Sequence, residues 1–391
     1  MAETSSTSHA RRAFADRIAE RPLLLDGAMG TLLYSRGTPQ RASLDELVLS
    51  RPDVVSAVHR EYIAAGADII ETDSFTASRQ HLAPLGLADR TGDINRRAAQ
   101  LAREAREVSG VDVLVAGSIG PVSSPLHGPG HVSPEVAAAS VTEQLESLLE
   151  GGVDIVQLET SSDLEHLLAS VEAARRLSDL PIVASLSFGE DLKVADGTDP
   201  AAAARALLEA DVDAIGVNCG SGPIAGIDAV EAMAPASGGT PLLIMPNAGL
   251  SGRVSGEFVW AAEPSYFAEE VPAFLRAGAR LIGGCCGTTP EHVAAMRQAL
   301  DRETARRASA DTAQTPTTTE APAPAPRPRT ASDDKAAAAT PDAPPPTGLA
   351  QKLAEGRFVI SVEIDPPRSV RIERTLGSVS YTHLTLPTNT V

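Results

Sequence analysis

Cysteine and aromatic residues are scarce in this chain. Its 391 residues include three cysteines, and aromatic side chains make up 3% of the total. So few thiols exclude a disulfide-stabilised scaffold, and aliphatic side chains must fill the core. Residues 1–22 also lack the apolar segment of a signal peptide. These absences predict a cytoplasmic protein, in which the thiols stay reduced or bind a metal ion.

Two classes of partner are excluded in the same way. No uninterrupted apolar run approaches the roughly 20 residues that span a bilayer, so we expect no membrane partner. The formal net charge is −18 at pH 7, which argues against nucleic acid, because phosphates require clustered Lys and Arg. The composition makes no prediction about the oligomeric state.

The chain contains eight β-rich apolar runs, each followed by a helical stretch or turn. The runs are LLLDG, ADIIETDSF, DVLVAGSIG, VDIVQLETS, PIVASLSF, AIGVNCG, PLLIMPNAG and ARLIGGCCG. Eight such units within residues 20–308 predict an α/β fold, a (β/α)8 TIM barrel, preceded by an N-terminal extension over residues 1–19. A doubly wound sheet is the alternative, but it usually has fewer strands and a glycine-rich phosphate loop, which we do not find.

Beyond the barrel the composition changes. Residues 309–346 are rich in Pro, Ala and Thr without apolar periodicity, which predicts a disordered linker. Residues 347–376 begin with a sequence that predicts a short helix and then a strand, and we interpret them as the start of a second barrel domain. Residues 377–391 differ in amino-acid composition from the sequence before them, and we interpret them as an anomalous tail from a truncated gene end.

Polar residues close most of the apolar runs. In a parallel barrel the carboxyl ends of the strands form the active-site mouth, so these residues are the candidates for chemistry. They are Asp26, Glu71, Thr72, Asp73, Ser118, Glu159, Thr160, Ser187, Asn218, Cys219, Asn247, Cys285 and Cys286. All three cysteines are among them, at the ends of the sixth and eighth runs.

The cysteines predict a zinc site. Two strands separated by one neighbour bring their ends close together, so Cys219 would meet Cys285 and Cys286. Zinc binds thiolates tetrahedrally, and three protein ligands leave the open position of a catalytic site. Gly283, Gly284 and Gly287 would permit the unusual turn that adjacent ligands need. Inert core thiols or a vicinal disulfide are the alternatives.

The carboxylates have two interpretations. Glu159 and Asp26 either cap loops and pair with arginines, or they bind the ammonium group of an amino-acid substrate. His127 and His131 are four residues apart, but the Gly-Pro-Gly sequence between them is incompatible with a shared helical face. We interpret them as loop residues.

Seven motifs in order resemble the homocysteine S-methyltransferase family. They are LLLDGAMGTLL, ETDSF, GSIGP, QLETSSDLEHLLA, GVNCGSGP, PNAGL and GGCCGTTPEHVAAM, within about residues 20–300. The resemblance implies a (β/α)8 barrel whose zinc ligands fall on Cys219, Cys285 and Cys286. Asp73 departs from the family, which more often has Asn there. The loop after the third run also lacks the aromatic and acidic residues of relatives.

The resemblance also implies the substrate and its contacts. Asp26 and Gly27 match positions that help to bind homocysteine, Glu159 matches the carboxylate that holds the substrate amine, and Asn218 precedes the first zinc ligand as in relatives. The implied reaction is zinc-dependent methylation of homocysteine to methionine, with S-methylmethionine, S-adenosylmethionine or methyl-folate as the donor. The alternatives are a carboxylate-based lyase or aldolase with incidental cysteines, and a non-catalytic zinc or thiol redox sensor.

The segment RFVISVEIDPPRS resembles the opening strand of methylenetetrahydrofolate reductase, a flavin-dependent barrel. Glu363 matches the acidic residue of that strand. The layout is similar to that of bifunctional chains that join the two activities. The resemblance implies FAD only where a complete reductase domain is present, and we expect no reductase activity from this truncated chain.

Overall fold

The computed structural model describes four segments of the chain. They are residues 8–39, 41–122, 132–254 and 257–313. Residues 1–7, His127, His131, residues 314–346 of the predicted linker, the second-domain segment with Glu363 and the predicted tail lie outside the described residues. The first five residues of the predicted linker, 309–313, belong instead to the last helix of the described chain.

Eight parallel strands form the central sheet. They are β1 (Leu23–Leu24), β2 (Ile69–Glu71), β3 (Leu114–Ile119), β4 (Ile155–Ser161), β5 (Ile182–Leu186), β6 (Ala214–Cys219), β7 (Leu242–Pro246) and β10 (Ala279–Ile282). Each of the eight predicted runs contains one of them. The spatial order is β1-β10-β7-β6-β5-β4-β3-β2.

The sheet closes between β1 and β2, which stand at the two ends of this spatial order. Leu25 and Ile69 form a parallel bridge. The Asp26 amide donates to the Ile69 carbonyl at 3.0 Å, and the Asp68 amide donates to the Leu24 carbonyl at 2.7 Å. A closed eight-stranded sheet confirms the predicted barrel and excludes the doubly wound alternative.

Helices surround the barrel and connect its strands. They are α1 (His9–Glu20), α2 (Gly30–Ser35), α3 (Leu47–Ser50), α4 (Pro52–Ala64), α5 (Arg79–Leu82), α6 (Thr91–Ser109), α7 (Pro134–Gly151), α8 (Leu164–Leu177), α9 (Pro200–Glu209), α10 (Pro223–Met233), α11 (Pro264–Ala277) and α12 (Pro290–Ala313). Asp163 caps the start of α8 by accepting from the His166 amide. Gly152 and Gly278 end α7 and α11 with left-handed backbones, a conformation that glycine adopts without strain. None of the helices in the described ranges has the length and apolar character needed to cross a bilayer.

Alternation along the strands separates two apolar clusters. In β4, Val156 and Leu158 pack in the outer cluster between sheet and helices, whereas Ile155 belongs to the inner cluster within the barrel. Successive side chains of a strand point to opposite faces, so Gln157 and Glu159 share the inner face with Ile155. Glu159 therefore lies at the mouth of the barrel interior.

Helix α1, within the predicted N-terminal extension, packs against the barrel. Phe14 and Ile18 are buried in the inner cluster. The Arg11 guanidinium donates to Asp213 at 2.6 Å and to Asp211 at 2.8 Å. Because both acids lie within the three residues before β6, the helix covers the N-terminal end of the barrel and leaves the opposite end open.

A hairpin that the sequence analysis did not predict follows β7. Its antiparallel strands are β8 (Ser251–Val254) and β9 (Glu257–Trp260). The Ala262 amide donates to the Ala248 carbonyl at 3.0 Å, which returns the chain to the end of β7. The hairpin brings the Trp260 ring close to Gly287, in the loop that follows β10.

Candidate functional site

The three cysteines converge at the carboxyl ends of β6 and β10. Their Sγ atoms all lie within 4.8 Å of one another. Strand β7 separates β6 from β10, as predicted. The Cys285 amide donates to the Pro246 carbonyl, and the Cys286 carbonyl accepts from the Ala248 amide, both at 2.9 Å. The end of β7 therefore holds the backbone of both adjacent cysteines.

The backbone angles near the cysteines differ from the prediction that Gly283, Gly284 and Gly287 all permit an unusual turn. Gly287 has a left-handed φ of +81°, and Cys219 itself has a φ of +65°. Gly283 and Gly284 do not have positive φ angles. They allow close packing instead, since a Cβ on Gly283 would approach Leu25 to 2.9 Å and one on Gly284 would approach the Thr288 hydroxyl to 2.5 Å.

Hydrogen bonding within the cluster favours one thiolate over three. The Cys285 and Cys286 thiols stabilise the Cys219 thiolate and lower the pKa of Cys219 to about 2. Hydrogen bonding to the Cys219 sulfur raises the pKa of Cys285 well above its usual range and that of Cys286 to about 12. One thiolate is therefore favourable, and two more require a positive charge between them.

The donor set fits zinc. A tetrahedral zinc with Zn–S bonds of about 2.3 Å holds its sulfurs about 3.8 Å apart, which the cluster can reach with small side-chain movements. The Asn247 Nδ2 donates to the Cys219 Sγ at 3.4 Å and to the Gly220 carbonyl at 2.7 Å. An amide donor directed at sulfur stabilises the thiolate form that binds a metal ion.

A cavity of about 390 Å³ adjoins the cysteines at the barrel mouth. Among the described residues that line it, five carry carboxyl groups and none is Lys, Arg or His. The five are Asp26, Asp45, Glu71, Asp73 and Glu159. A positively charged group is the electrostatic complement of this lining, because it would favour the ionised form of the carboxyl groups, and no cationic side chain in the described lining competes with it.

Asp26 and Gly27 lie where β1 leads into the cavity. Asp26 is 2% exposed; its Oδ2 accepts from the Glu71 amide at 2.9 Å, and its Oδ1 has no hydrogen-bond partner among the described residues. Burial and then the Glu159 charge raise the pKa of Asp26 well above its usual range. A Cβ on Gly27 would approach the Thr288 hydroxyl to 2.7 Å, so no larger residue fits.

Glu159 lies at the centre of a hydrogen-bonded group. Its carboxylate accepts from the Ser118 hydroxyl and from the Asn218 Nδ2, the latter at 3.1 Å. The Asn218 Oδ1 in turn accepts from the Thr160 amide at 2.8 Å and from the Ser185 hydroxyl at 2.9 Å. Burial, and then the Cys219 charge, raise the pKa of Glu159 to about 7.

The cavity includes residues that sequence analysis missed and omits some that it proposed. Asp45 lies between α2 and α3, away from any strand end, and no local signal indicates its role. Tyr34 and Thr76 also line the cavity. Ser187 and Asn247 close strands five and seven but are not among the lining residues. The Asn247 side chain donates to the Cys219 sulfur instead.

Comparison with known proteins identifies relatives of the barrel. The homocysteine S-methyltransferase family matches residues 23–300. Methionine synthase from Mycobacterium leprae (strain TN) is 32% identical over 306 residues, which are 73% of this chain and 25% of that protein. Methionine synthase from Mycobacterium tuberculosis (strain ATCC 25618 / H37Rv) is 32% identical over 304 residues, with the same coverage. The chain thus spans about a quarter of the length of these curated relatives.

Solved structures match the barrel over their whole length. The metallated form of the homocysteine methyltransferase MmuM from Escherichia coli superposes with a TM-score of 0.64 and 29% identity, covering 74% of this chain and 99% of that one. The oxidised form of the same protein gives a TM-score of 0.64 and 30% identity, with the same coverage. From the match over residues 23–300, the chain belongs to the homocysteine S-methyltransferase family.

Proposed function

We propose that this protein transfers a methyl group to the thiol of homocysteine and forms methionine, with a zinc ion held by Cys219, Cys285 and Cys286. The observation that carries the proposal is the convergence of three Sγ atoms within 4.8 Å at the edge of an acidic cavity. Family membership supports the reaction class, and the geometry supports the metal. A reducing cytoplasm is the compartment in which these thiols would remain available.

When bound, zinc supplies a Lewis acid that lowers the pKa of a substrate thiol below its ordinary value of about 8.5. The chain's own residues prepare the site for it. The Asn247 amide supports the Cys219 sulfur, and the two backbone hydrogen bonds from the end of β7 hold the adjacent cysteines in place. The barrel mouth would then keep both reactants in attack geometry, which converts a bimolecular encounter into an intramolecular step.

The acidic groups near the cysteines suit the ammonium group of homocysteine. Glu159 is buried and receives two hydrogen bonds, and the free Oδ1 of Asp26 offers a further acceptor. An ammonium group placed between them would relieve the repulsion that raises the pKa of Asp26. Gly27 would contribute by letting the turn after Asp26 pack closely against Thr288 and Tyr62, and Asn218 holds the Glu159 carboxylate.

We also propose a domain organisation for the chain. Residues 20–308 would be the methyltransferase domain, followed by a linker over residues 309–346 and the beginning of a methylenetetrahydrofolate-reductase-like domain over residues 347–376. The match of RFVISVEIDPPRS, with Glu363, to that family's opening strand supports the proposal. FAD would bind only in a complete reductase domain.

The test uses the full chain and measures two quantities. Zinc per chain is determined after purification, and labelled methyl is followed from S-methylmethionine, S-adenosylmethionine or methyl-folate into methionine. We expect about one zinc per chain and labelled methionine with at least one donor. Cys286→Ser should remove the zinc and lower the rate by about 100-fold or more, whereas Ser187→Ala, at a strand end outside the cavity, should change neither.

Three results would contradict the proposal. A zinc-free protein that forms methionine at the same rate would exclude the metal. Full activity on another substrate in Cys286→Ser, without methionine formation, would instead favour the carboxylate-based lyase or aldolase. A metal bound by four protein ligands, without turnover, would favour the redox sensor.

A further inference from the structure

Two loops meet at the barrel mouth, and each carries one part of the proposed homocysteine site. The first loop, residues 26–29, follows β1 and includes Asp26. The eighth loop, residues 283–289, follows the eighth barrel strand, β10, and includes two of the three cysteines. The Gly284 amide donates to the Asp26 carbonyl at 3.1 Å, so the two loops are in direct contact.

Thr288 links the two loops through its side chain. It is fully buried. Its hydroxyl donates to the Cys285 carbonyl at 2.7 Å and accepts from the Ala28 amide at 3.1 Å. A hydroxyl group can donate its proton and accept another hydrogen bond at the same time, so both bonds can form together. The hydroxyl therefore joins the backbone of a proposed zinc ligand to the backbone of the first loop.

Tyr62 reaches the same place from helix α4. Its side chain is fully buried, and its hydroxyl donates to the Ala28 carbonyl at 2.8 Å, with the Thr288 carbonyl at 3.3 Å as a second acceptor. Because α4 leads back to the start of β2, it runs antiparallel to the barrel strands, and helical side chains lean towards the N-terminal end of their helix. The phenol ring therefore extends towards the barrel mouth.

The surroundings of Tyr62 keep its hydroxyl protonated and closely packed. Burial, followed by the charge of Asp26, raises the pKa of Tyr62 well above its usual range. The phenol is thus a hydrogen-bond donor at neutral pH. A Cβ added to Gly27 would approach the Tyr62 hydroxyl to 3.0 Å and the Thr288 hydroxyl to 2.7 Å. The first loop is therefore held tightly against both hydroxyl groups.

We propose that Tyr62 and Thr288 are positioning residues, which fix the distance between the first loop and the eighth loop so that homocysteine can bind to both at once. The inference rests on the proposed function, because homocysteine would place its ammonium group beside Asp26 and its sulfur at the zinc. Neither positioning residue lines the cavity, so each acts through the backbone of residues that do. A ligand held at two points gains full affinity only when these points have the correct separation.

The experiment compares homocysteine with two ligands that each keep one of its ends. The ligand 2-aminobutyrate has the ammonium group without the thiol, and 4-mercaptobutyrate has the thiol without the ammonium group. The full chain is loaded with Co(II), whose visible absorption changes when a further thiolate binds. Homocysteine and 4-mercaptobutyrate are titrated directly, and 2-aminobutyrate is measured by its competition with homocysteine.

Tyr62→Phe removes the hydroxyl and keeps the ring. We expect it to weaken homocysteine binding by about tenfold, as for the loss of one hydrogen bond. The affinity of either one-ended ligand should change by less than about twofold. Thr288→Val, a replacement of similar size, should act in the same way, whereas Thr288→Ser retains the hydroxyl and should bind homocysteine as wild type does. Tyr266→Phe, on α11 and outside the cavity lining, is the matched control and should change no affinity.

Two binding results would overturn the inference. Equal weakening of homocysteine and of both one-ended ligands by Tyr62→Phe would indicate a general loss of structure instead of a changed separation. Unchanged homocysteine affinity in both Tyr62→Phe and Thr288→Val would show that the hydroxyl groups do not position the loops.

Hydrogen exchange in the metal-free full chain tests the link between the loops without any ligand. We expect Tyr62→Phe and Thr288→Val to speed exchange in the first loop and the eighth loop together, and faster exchange in one loop alone would overturn the inference. Failure of the proposed function is distinguishable. Faster exchange in both loops, in a protein whose wild type binds no homocysteine, would support the link and contradict the methyltransferase.

Discussion

The Asn218 side-chain amide donates to the Glu159 carboxylate at 3.1 Å. Asn218 immediately precedes Cys219, so one residue joins the end of β6 to the acidic group on β4. Its Oδ1 also accepts from the Thr160 amide, whose residue has a left-handed φ of +59°. The cysteine cluster and the carboxylate are therefore held in a fixed relationship by a hydrogen-bonded amide.

We expect Asn218→Ala to loosen the placement of the Glu159 carboxylate relative to the cysteine cluster without removing zinc. The change removes the Asn218 partner of the half-buried Thr160 amide and one of the two hydrogen bonds to the Glu159 carboxylate, which keeps the Ser118 hydroxyl. The expected cost is about 1–3 kcal/mol of unfolding free energy. The KM for homocysteine should rise by about tenfold while zinc content stays the same. Urea titrations, metal analysis and steady-state kinetics measure the three quantities. Ser185→Ala, which removes only one hydrogen bond to Asn218, should have a smaller effect; an equal effect would contradict the assigned role.

Glu159→Gln should separate substrate binding from catalysis. The amide keeps the size of the side chain and removes the charge that would attract the homocysteine ammonium group. Truncating one partner of a buried charge pair costs about 2–5 kcal/mol, so we expect the KM for homocysteine to rise about 30-fold or more, with a smaller change in kcat. Initial rates at saturating donor measure both. The control is Glu165→Gln on the exposed face of α8, and an unchanged KM in Glu159→Gln would exclude it as the amine-binding group.

Gly287→Ala should disrupt the metal site through packing. Gly287 has a φ of +81°, and a Cβ there would approach the Trp260 ring to 2.2 Å. Because Cys286 is its neighbour, we expect less than about half of the wild-type zinc content and a melting temperature lowered by several degrees. Metal analysis and thermal unfolding test this.

Gly197→Ala is the matched control for backbone strain. Gly197 also has a positive φ, of +90°, but a Cβ added there would have no atom within 4 Å. This variant should lose some stability and retain its zinc. If both variants keep the metal equally well, the contact with Trp260 does not position Cys286.

His59 should make the protein less stable at acidic pH. It is fully buried, neither ring nitrogen has a hydrogen-bond partner among the described residues, and burial lowers its pKa from 6.5 to about 4. The unfolded chain therefore binds more protons than the folded one in this range. Stability due to neutral His59 is fully present above pH 6.5 and falls as the pH drops towards 4, by about 3 kcal/mol in total.

The measurement compares wild type with His59→Leu in denaturant titrations between pH 7 and 4. Other groups also titrate there, so the difference between the two proteins is the relevant quantity. We expect wild type to lose about 3 kcal/mol relative to the variant, whereas the exposed His9→Gln should show no such difference. Parallel pH profiles for wild type and His59→Leu would mean that His59 is not buried in its neutral form.

The prediction succeeded for features that depend on local patterns. The eight apolar runs alternate with helical stretches in the sequence, and each run contains one strand of the barrel. Adjacent cysteines after an apolar run, and a third after another, marked two strand ends. The parallel barrel then required these ends to meet, since all strand ends lie at one mouth.

Features that depend on contacts between distant residues were missed. Asp45 is held at the cavity by its hydrogen bonds to Thr76, 31 positions away. No neighbouring residue in the sequence indicates this placement. Arg11 joins α1 to Asp213, 202 positions away, so the helix could not be distinguished from an unattached extension. The role of Gly287 likewise depends on Trp260 in a hairpin that the pattern did not indicate.

The sequence by itself determined the barrel class, the strand order along the chain and the cysteines and carboxylates at the strand ends. These follow from hydrophobic periodicity and from backbone rules that act over a few residues. Only the tertiary structure decided which carboxyl groups share a region of the cavity, which glycines serve close packing and which helix covers the barrel floor. Those outcomes depend on side chains from separate segments being packed at fixed distances, and packing density is a property of the folded chain.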